Sequence, residues 1–246
     1  MATSTTHFDE DAAAWEADPA CRSCCELAYK ALLQHVPQFQ PGVKKPDVME
    51  VECGSGILSA MLAPHVHTLT GTDISESMVA AFNANAAARG ADHTEAVRFD
   101  IANPDFTVAP AAVARLIQKV DGKAAEEPVR WDLLVSNTLS HNFADMNQWL
   151  QISYFCLAPG GSLAMIDFEN TAADAALFHV PGKQGNIAMP GLKPDEIARL
   201  LEDAGFEDVS VKRAFSLEKA VDPEGAGGRT SIDLPFVICQ GTKPLR

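Results

Sequence analysis

The chain has 246 residues, 47% hydrophobic and 21% charged, the balance of a globular protein with a sizeable core. Its 33 acidic and 19 basic residues leave a formal charge of −14, which argues against a nucleic-acid surface, since phosphate binding needs clustered Lys and Arg. No apolar run approaches the ~20 residues of a membrane helix. Asp9, Glu10 and Asp11 stand where a secretory leader would be basic and then apolar, so a cytoplasmic protein without membrane contact is expected.

The first seven residues are small and polar. A helical pattern starts at Asp9, breaks at Asp18-Pro19 and resumes over Cys21–His35, where Cys24, Leu27, Ala28, Leu32 and Leu33 recur at helical spacing. Cys21-x-x-Cys24-Cys25 has metal-like spacing but lacks a second CxxC or CxxH elsewhere, so reduced thiols on a helix are expected and no metal is assigned. Trp15 either covers a ligand or packs in the core. A Pro/Gly/Lys connector over residues 37–46 ends this helical region.

The first strand is expected at Asp47–Val51, followed by the Gly54-x-Gly56 turn and a helix from Ile57 to Ala63 that Pro64 ends. A second strand, His67–Asp73, leads to Ser75, a good N-cap for a helix through Arg89 with Glu76 and Met78 in its first turn. The third strand, Ala96–Ile101, carries Asp100 near its end. Residues 103–130, punctuated by Pro104, Pro110 and Pro128, read as an insertion with a short surface helix. The fourth strand is Trp131–Ser136, followed by a loop containing Asn137 and His141 and a helix over Met146–Leu157. Pro159-Gly160-Gly161 reads as a turn into a fifth strand, Ser162–Phe168.

Residues 170–192, rich in Gly, Pro and Ala, read as a lid that includes His179. Pro194 opens a helix to Ala204, with Gly205 as its stop. Val209–Leu217 and Ile232–Thr242 read as strands paired antiparallel across the 222–228 loop. The expected fold is therefore α/β and doubly wound: a mostly parallel seven-stranded sheet, Rossmann-like, with an antiparallel last strand and helices on both faces. Its organisation is a single domain, with an N-terminal helical cap over 1–46, a core over 47–168 and a lid, helix and strand pair over 169–246.

Several residues then converge. Gly54-x-Gly56 lets backbone approach a ligand that a Cβ would block. Asp73, ending the second strand, suits a ribose diol, and Asp100 lies where an adenine amino group would sit. The loop after Ser136 joins them at the switch point between the first and fourth strands. Gly54-x-Gly56-x-x-Ser59 nearly matches a dinucleotide fingerprint, but Glu52 beside the turn would repel a pyrophosphate.

Val48-Met-Glu-Val-Glu-Cys-Gly-Ser-Gly56, Gly71-Thr-Asp-Ile-Ser-Glu-Ser-Met78, Trp131-Asp-Leu-Leu-Val-Ser136 and Leu157-Ala-Pro-Gly-Gly161 resemble motifs of class I S-adenosylmethionine-dependent methyltransferases. Phe8-Asp9 through Asp18-Pro19, and Ala204-Gly-Phe206, are similar to a small ubiquinone-methyltransferase-like group within it. The resemblance implies S-adenosyl-L-methionine as cofactor, held by Trp15, Glu50, Glu52, Gly54, Gly56, Asp73, Ile74, Met78, Asp100, Ile101 and Asn137. It implies metal-free, in-line transfer to a small-molecule acceptor, with His141 and His179 as the candidate base or acceptor contacts.

Three positions depart from the pattern. Glu52 stands where the family has its first glycine, Asn142 where the group has a second His, and Ala188-Met189-Pro190 where it has lid histidines. A non-catalytic binding protein on the same fold is the alternative reading, and a nicotinamide dehydrogenase the third.

Overall fold

The computed structural model describes residues 16–99, 130–138, 145–170, 191–224 and 226–245. Trp15, Asp100, Ile101, His141, Asn142, His179, Ala188-Met189-Pro190, the expected insertion helix and most of the expected lid lie outside the described residues.

Seven strands form one sheet: β1 (Asp47–Val51), β2 (Thr68–Asp73), β3 (Thr94–Arg98), β4 (Trp131–Asn137), β5 (Leu157–Phe168), β6 (Glu207–Ala220) and β7 (Ser231–Thr242). Their order is β3-β2-β1-β4-β5-β7-β6. Strands β1 to β5 pair in parallel, and β7 runs antiparallel to both β5 and β6. The direction of winding reverses between β1 and β4, which puts the crevice expected of such sheets outside their carboxyl ends.

Among the described residues, five helices flank the sheet: α1 (Pro19–His35), α2 (Ile57–Leu62), α3 (Glu76–Ala88), α4 (Met146–Cys156) and α5 (Pro194–Asp203). Their starts follow local chemistry. Asp18 caps α1 by accepting the Ala20 N–H at 2.8 Å, Ser75 accepts the Met78 N–H at 3.2 Å, and Asp145 accepts the Gln148 N–H at 3.1 Å. Pro19 and Pro194 occupy first-turn positions, where their missing N–H costs nothing.

The core lies on both faces of the sheet. Along β1, Val48 joins Leu32, Leu58, Leu62 and Phe82 on the face covered by α1, α2 and α3. Its neighbours Met49 and Val51 join Trp149, Leu150 and Leu201 on the face covered by α4 and α5. Both sets are buried, so β1 reads as a near-continuous apolar run, as a central parallel strand should. Glu50 is the exception, and it lies at the site.

Three strands, β5, β3 and β6, differ from expectation by more than two residues at an end. The Pro159-Gly160-Gly161 segment lies inside β5, whose register against β4 shifts between Trp131 and Leu133. The cause is the chain end: the Gly160 N–H donates to the Lys243 carbonyl at 2.9 Å, and the Lys243 N–H to that of Gly161 at 2.8 Å. β3 begins at Thr94 and stops at Arg98, short of the acid expected near its end. β6 extends beyond Val209–Leu217 at both ends and absorbs its extra residues in two register shifts against β7.

Candidate functional site

The turn after β1 is built from its backbone outward. Glu52, Gly54 and Gly56 all take left-handed φ values, of 51°, 55° and 86°. The Gly54 N–H donates to Asp73 Oδ2 at 3.0 Å, and the Cys53 N–H to the Thr72 carbonyl at 3.0 Å, lashing the turn to the end of β2. The second Asp73 oxygen accepts the Ser75 N–H at 2.9 Å. Asp73 thus holds the turn and the start of α3 together, while its remaining lone pairs stay available as acceptors at the carboxyl end of β2. Burial raises its carboxyl above the usual range, against the lowering effect of the Ser75, Gly54 and Ile74 N–H groups.

Space behind the turn is filled. A Cβ on Gly56 would lie 2.7 Å from the Phe82 ring, and one on Gly71 in β2 would lie 2.6 Å from Cys53 Sγ. The absence of side chains at 56 and 71 is therefore a packing requirement as well as a conformational one. Asn85 of α3 clamps the turn from outside, its Nδ2 donating to the Ser55 carbonyl at 3.2 Å and to Glu16 Oε1 at 2.6 Å.

Glu50 sits beneath the turn rather than in the open crevice. It is 3% exposed and accepts a hydrogen bond from the Ser59 hydroxyl of α2. Burial, with the neighbouring Asp73 carboxylate, pushes its carboxyl up to about 7 despite the Ser59 bond. Met78 is buried in the first turn of α3, and the Ile74 carbonyl accepts from Arg98 Nε at 3.1 Å. Glu50, Glu52, Gly54, Gly56, Asp73, Ile74 and Met78 thus gather around the carboxyl ends of β1 and β2.

At the end of β4, Asn137 Nδ2 reaches Cys25 Sγ of α1 at 4.0 Å. Its Oδ1, and the hydroxyl of Ser136, are buried with no hydrogen-bond partner among the described residues. Thr138 then turns the chain at φ 57°, donating its hydroxyl to the Asn137 carbonyl at 2.7 Å. A β-branched residue in this conformation is rare and strained. Left-handed, non-glycine residues thus follow both strands that flank the switch point: Glu52 after β1 and Thr138 after β4.

Phe82, Asn85 and Thr138 support the site without having been singled out in the sequence, and Ser59 and Gly71, which stand inside motifs, support it in roles the motifs do not show. Asn85 carries no signal except its helical phase relative to the turn, and Ser59 reads only as the last position of a dinucleotide fingerprint. Gly71 lies inside the second motif, but its clearance from Cys53 is a tertiary fact. Cys24 and Cys25 are buried free thiols, pushed up to about 12 chiefly by burial, in keeping with reduced thiols on a helix. Among the described residues, no group of three or more His, Cys, Asp or Glu side chains is placed to hold a metal ion. No helix among them is long and apolar enough to cross a membrane. A groove of about 230 Å³ between α1, α2 and α3, lined by Arg22, Ser55, Asn85 and Arg89 among others, includes neither Asp73, Met78 nor Asn137.

The chemistry of the donor set favours positive charge. The Gly54 and Gly56 N–H groups are committed to Asp73 and to the Cys53 carbonyl, so they are not free to cradle a phosphate. Glu50, Glu52 and Asp73 put three carboxyl groups around one turn. A ligand with a diol for Asp73 and a cationic centre fits this arrangement; a pyrophosphate does not.

A family model described as a methyltransferase domain matches residues 26–211. Among solved structures, a protein from work on conversion of a disulfide bond into a thioacetal group during echinomycin biosynthesis aligns over 98% of this chain and 94% of its own, at 16% identity and a TM-score of 0.62. The N-methyltransferase NodS from Bradyrhizobium japonicum, in complex with S-adenosyl-L-homocysteine, aligns over 98% of both chains at 13% identity and a TM-score of 0.58. An O-methyltransferase family protein from Burkholderia thailandensis aligns over 98% of this chain and 61% of its own, at 15% identity and a TM-score of 0.62. At these identities the structural likeness is one of fold.

Proposed function

Since this chain belongs to the methyltransferase-domain family, we propose that it is an S-adenosylmethionine-dependent methyltransferase that alkylates a small-molecule acceptor. The observation that carries the reading is the turn after β1: its amides are tied to Asp73 and Cys53, and carboxyl groups surround it. The methyl donor is a sulfonium with an ammonium and no phosphate, which suits that charge. When bound, it supplies an electrophilic methyl group on a positively charged sulfur that departs as a neutral thioether. Asp73 would accept the ribose hydroxyls, the Gly54–Gly56 backbone would lie against the amino-acid portion, and Asn137 Oδ1 would accept a hydrogen bond at the β4 side.

The transfer is in-line and needs no metal in this reading; the chain's part is alignment and exclusion of water. Trp15, Asp100 and Ile101 complete the proposed donor site, and His141 and His179 remain the proposed bases or acceptor contacts. The terminal motifs that resemble the ubiquinone-methyltransferase-like group support a small acceptor. Incubation with methyl-labelled donor and a fractionated metabolite pool tests the reading. A labelled small molecule is expected, and tight donor binding without labelled product would favour the non-catalytic alternative, which the strained Glu52 motivates.

A further inference from the structure

Asn85 of α3 joins the Gly54–Gly56 turn to the segment ahead of α1 through a single atom. Its Nδ2 donates to the Ser55 carbonyl at 3.2 Å and to Glu16 Oε1 at 2.6 Å. Both partners can only accept, so the amide nitrogen must face them, with both of its hydrogens engaged. The shorter bond is the one to a carboxylate, and it fixes the rotamer that also reaches the turn.

The bond to Ser55 sets a peptide plane. In the trans Ser55–Gly56 peptide the carbonyl and the N–H point to opposite sides. Asn85 holds the carbonyl outward against α3, and the Gly56 N–H is thereby turned inward to the Cys53 carbonyl at 3.1 Å. Glu52, Gly54 and Gly56 all take left-handed φ, and at the non-glycine residue such a backbone persists only where its surroundings over-determine it. β2 restrains the turn through Asp73 and the Thr72 carbonyl. Asn85 restrains it from the helical side and passes that restraint to Glu16. Glu16, Ser55 and Asn85 share a groove with Arg22 and Arg89, which sets the carboxylate among cations; the groove includes neither Asp73, Met78 nor Asn137.

Resting on the methyl-donor reading above, we propose that Asn85 is a positioning residue for the donor's amino-acid portion, and that Glu16 locks it in place. Together they orient the Ser55–Gly56 peptide against which that portion lies. The segment ahead of α1 thereby contributes to donor affinity through α3, from behind the turn. Asp73 takes the ribose from β2, and its grip does not pass through Asn85.

Isothermal calorimetry of the full chain with three ligands tests this. S-adenosylmethionine and S-adenosylhomocysteine carry the amino-acid portion; methylthioadenosine shares the adenosine and lacks that portion. Asn85→Ala should weaken the first two alike, by about tenfold, the size of roughly one hydrogen bond. Methylthioadenosine should stay within about twofold of the parent, as an independent site does. Glu16→Ala should weaken S-adenosylmethionine by about threefold, and should add nothing in the Asn85→Ala background because it acts through Asn85.

Equal weakening of all three ligands would make Asn85 a structural clamp only and overturn the proposal, as would unchanged affinities. Additive losses in the double variant would overturn the role of Glu16. Should Asn85→Ala fail to fold, the selectivity of Glu16→Ala between S-adenosylmethionine and methylthioadenosine decides alone. Lack of S-adenosylmethionine binding by the parent would instead remove the methyl-donor reading on which the proposal stands.

Discussion

Two acids in the same segment, two residues apart, carry opposite kinds of cost. Glu52 bears its cost in the backbone: at φ 51° a residue with a Cβ is strained by roughly 1–2 kcal/mol. Glycine at this position keeps the turn and removes that strain, at a smaller cost in unfolded-chain entropy. Glu52→Gly should therefore raise stability by about 1 kcal/mol in urea melts and bind S-adenosylmethionine at least as tightly; markedly weaker binding would show that the carboxylate helps hold the donor. Glu50 bears its cost in solvation. Its folded value, about 7, is raised from the ordinary 4.5, so its contribution is fully present below pH 4.5 and is lost as pH rises through 7. The loss is about 3 kcal/mol, at ~1.4 kcal/mol per unit. Thermal melts should show Glu50→Gln matching the parent near pH 4.5 and exceeding it at pH 8; a parent advantage at pH 8 would mean that the carboxylate is compensated.

At the scale of elements, β1, the turn, β2 and α3 form one interlocked piece. Gly71 lies under the turn with no room for a side chain, so Gly71→Ala drives a methyl into Cys53 and Phe82. It should cost about 1–3 kcal/mol, and Cys53→Ala in the same chain should recover part of that, because the nearest obstructing atom is the thiol sulfur. Additive losses in a double-mutant cycle would argue that the strain is relieved elsewhere. This piece was also the most legible part of the chain. The limits of β1 agree with expectation, and the cap at Ser75 follows from residue type, because strand period, glycine spacing and capping are local properties. What was not legible is what depends on distant partners. The start of β5 is set by Lys243, and the φ of Thr138 and the burial of Glu50 against Ser59 have no local sign in residue type. Glu52 was visible as a misplaced acid, but only the backbone shows that it takes the left-handed conformation that favours glycine.

At the scale of the whole molecule, charge and topology each have a consequence. A net charge of −14 makes the compact state repel itself. Screening weakens that repulsion, so the melting temperature should rise between about 10 and 150 mM NaCl; a fall would mean that attractive surface pairs outweigh the excess. The topology concerns time instead of energy. β7, the last of the seven strands along the chain, stands between β5 and β6, so the partner that completes β5 arrives last. Until it does, Ala164, Met165, Ile166 and Phe168, all fully buried in the finished sheet, border an open edge. During synthesis the donor-site half, β1 to β5, can pair among itself while that edge waits as a template for any passing strand. Misassembly of this protein should accordingly begin at β5, whose Ile166 pairs with Asn137 at the end of β4, during the interval before Ser231–Thr242 leaves the ribosome.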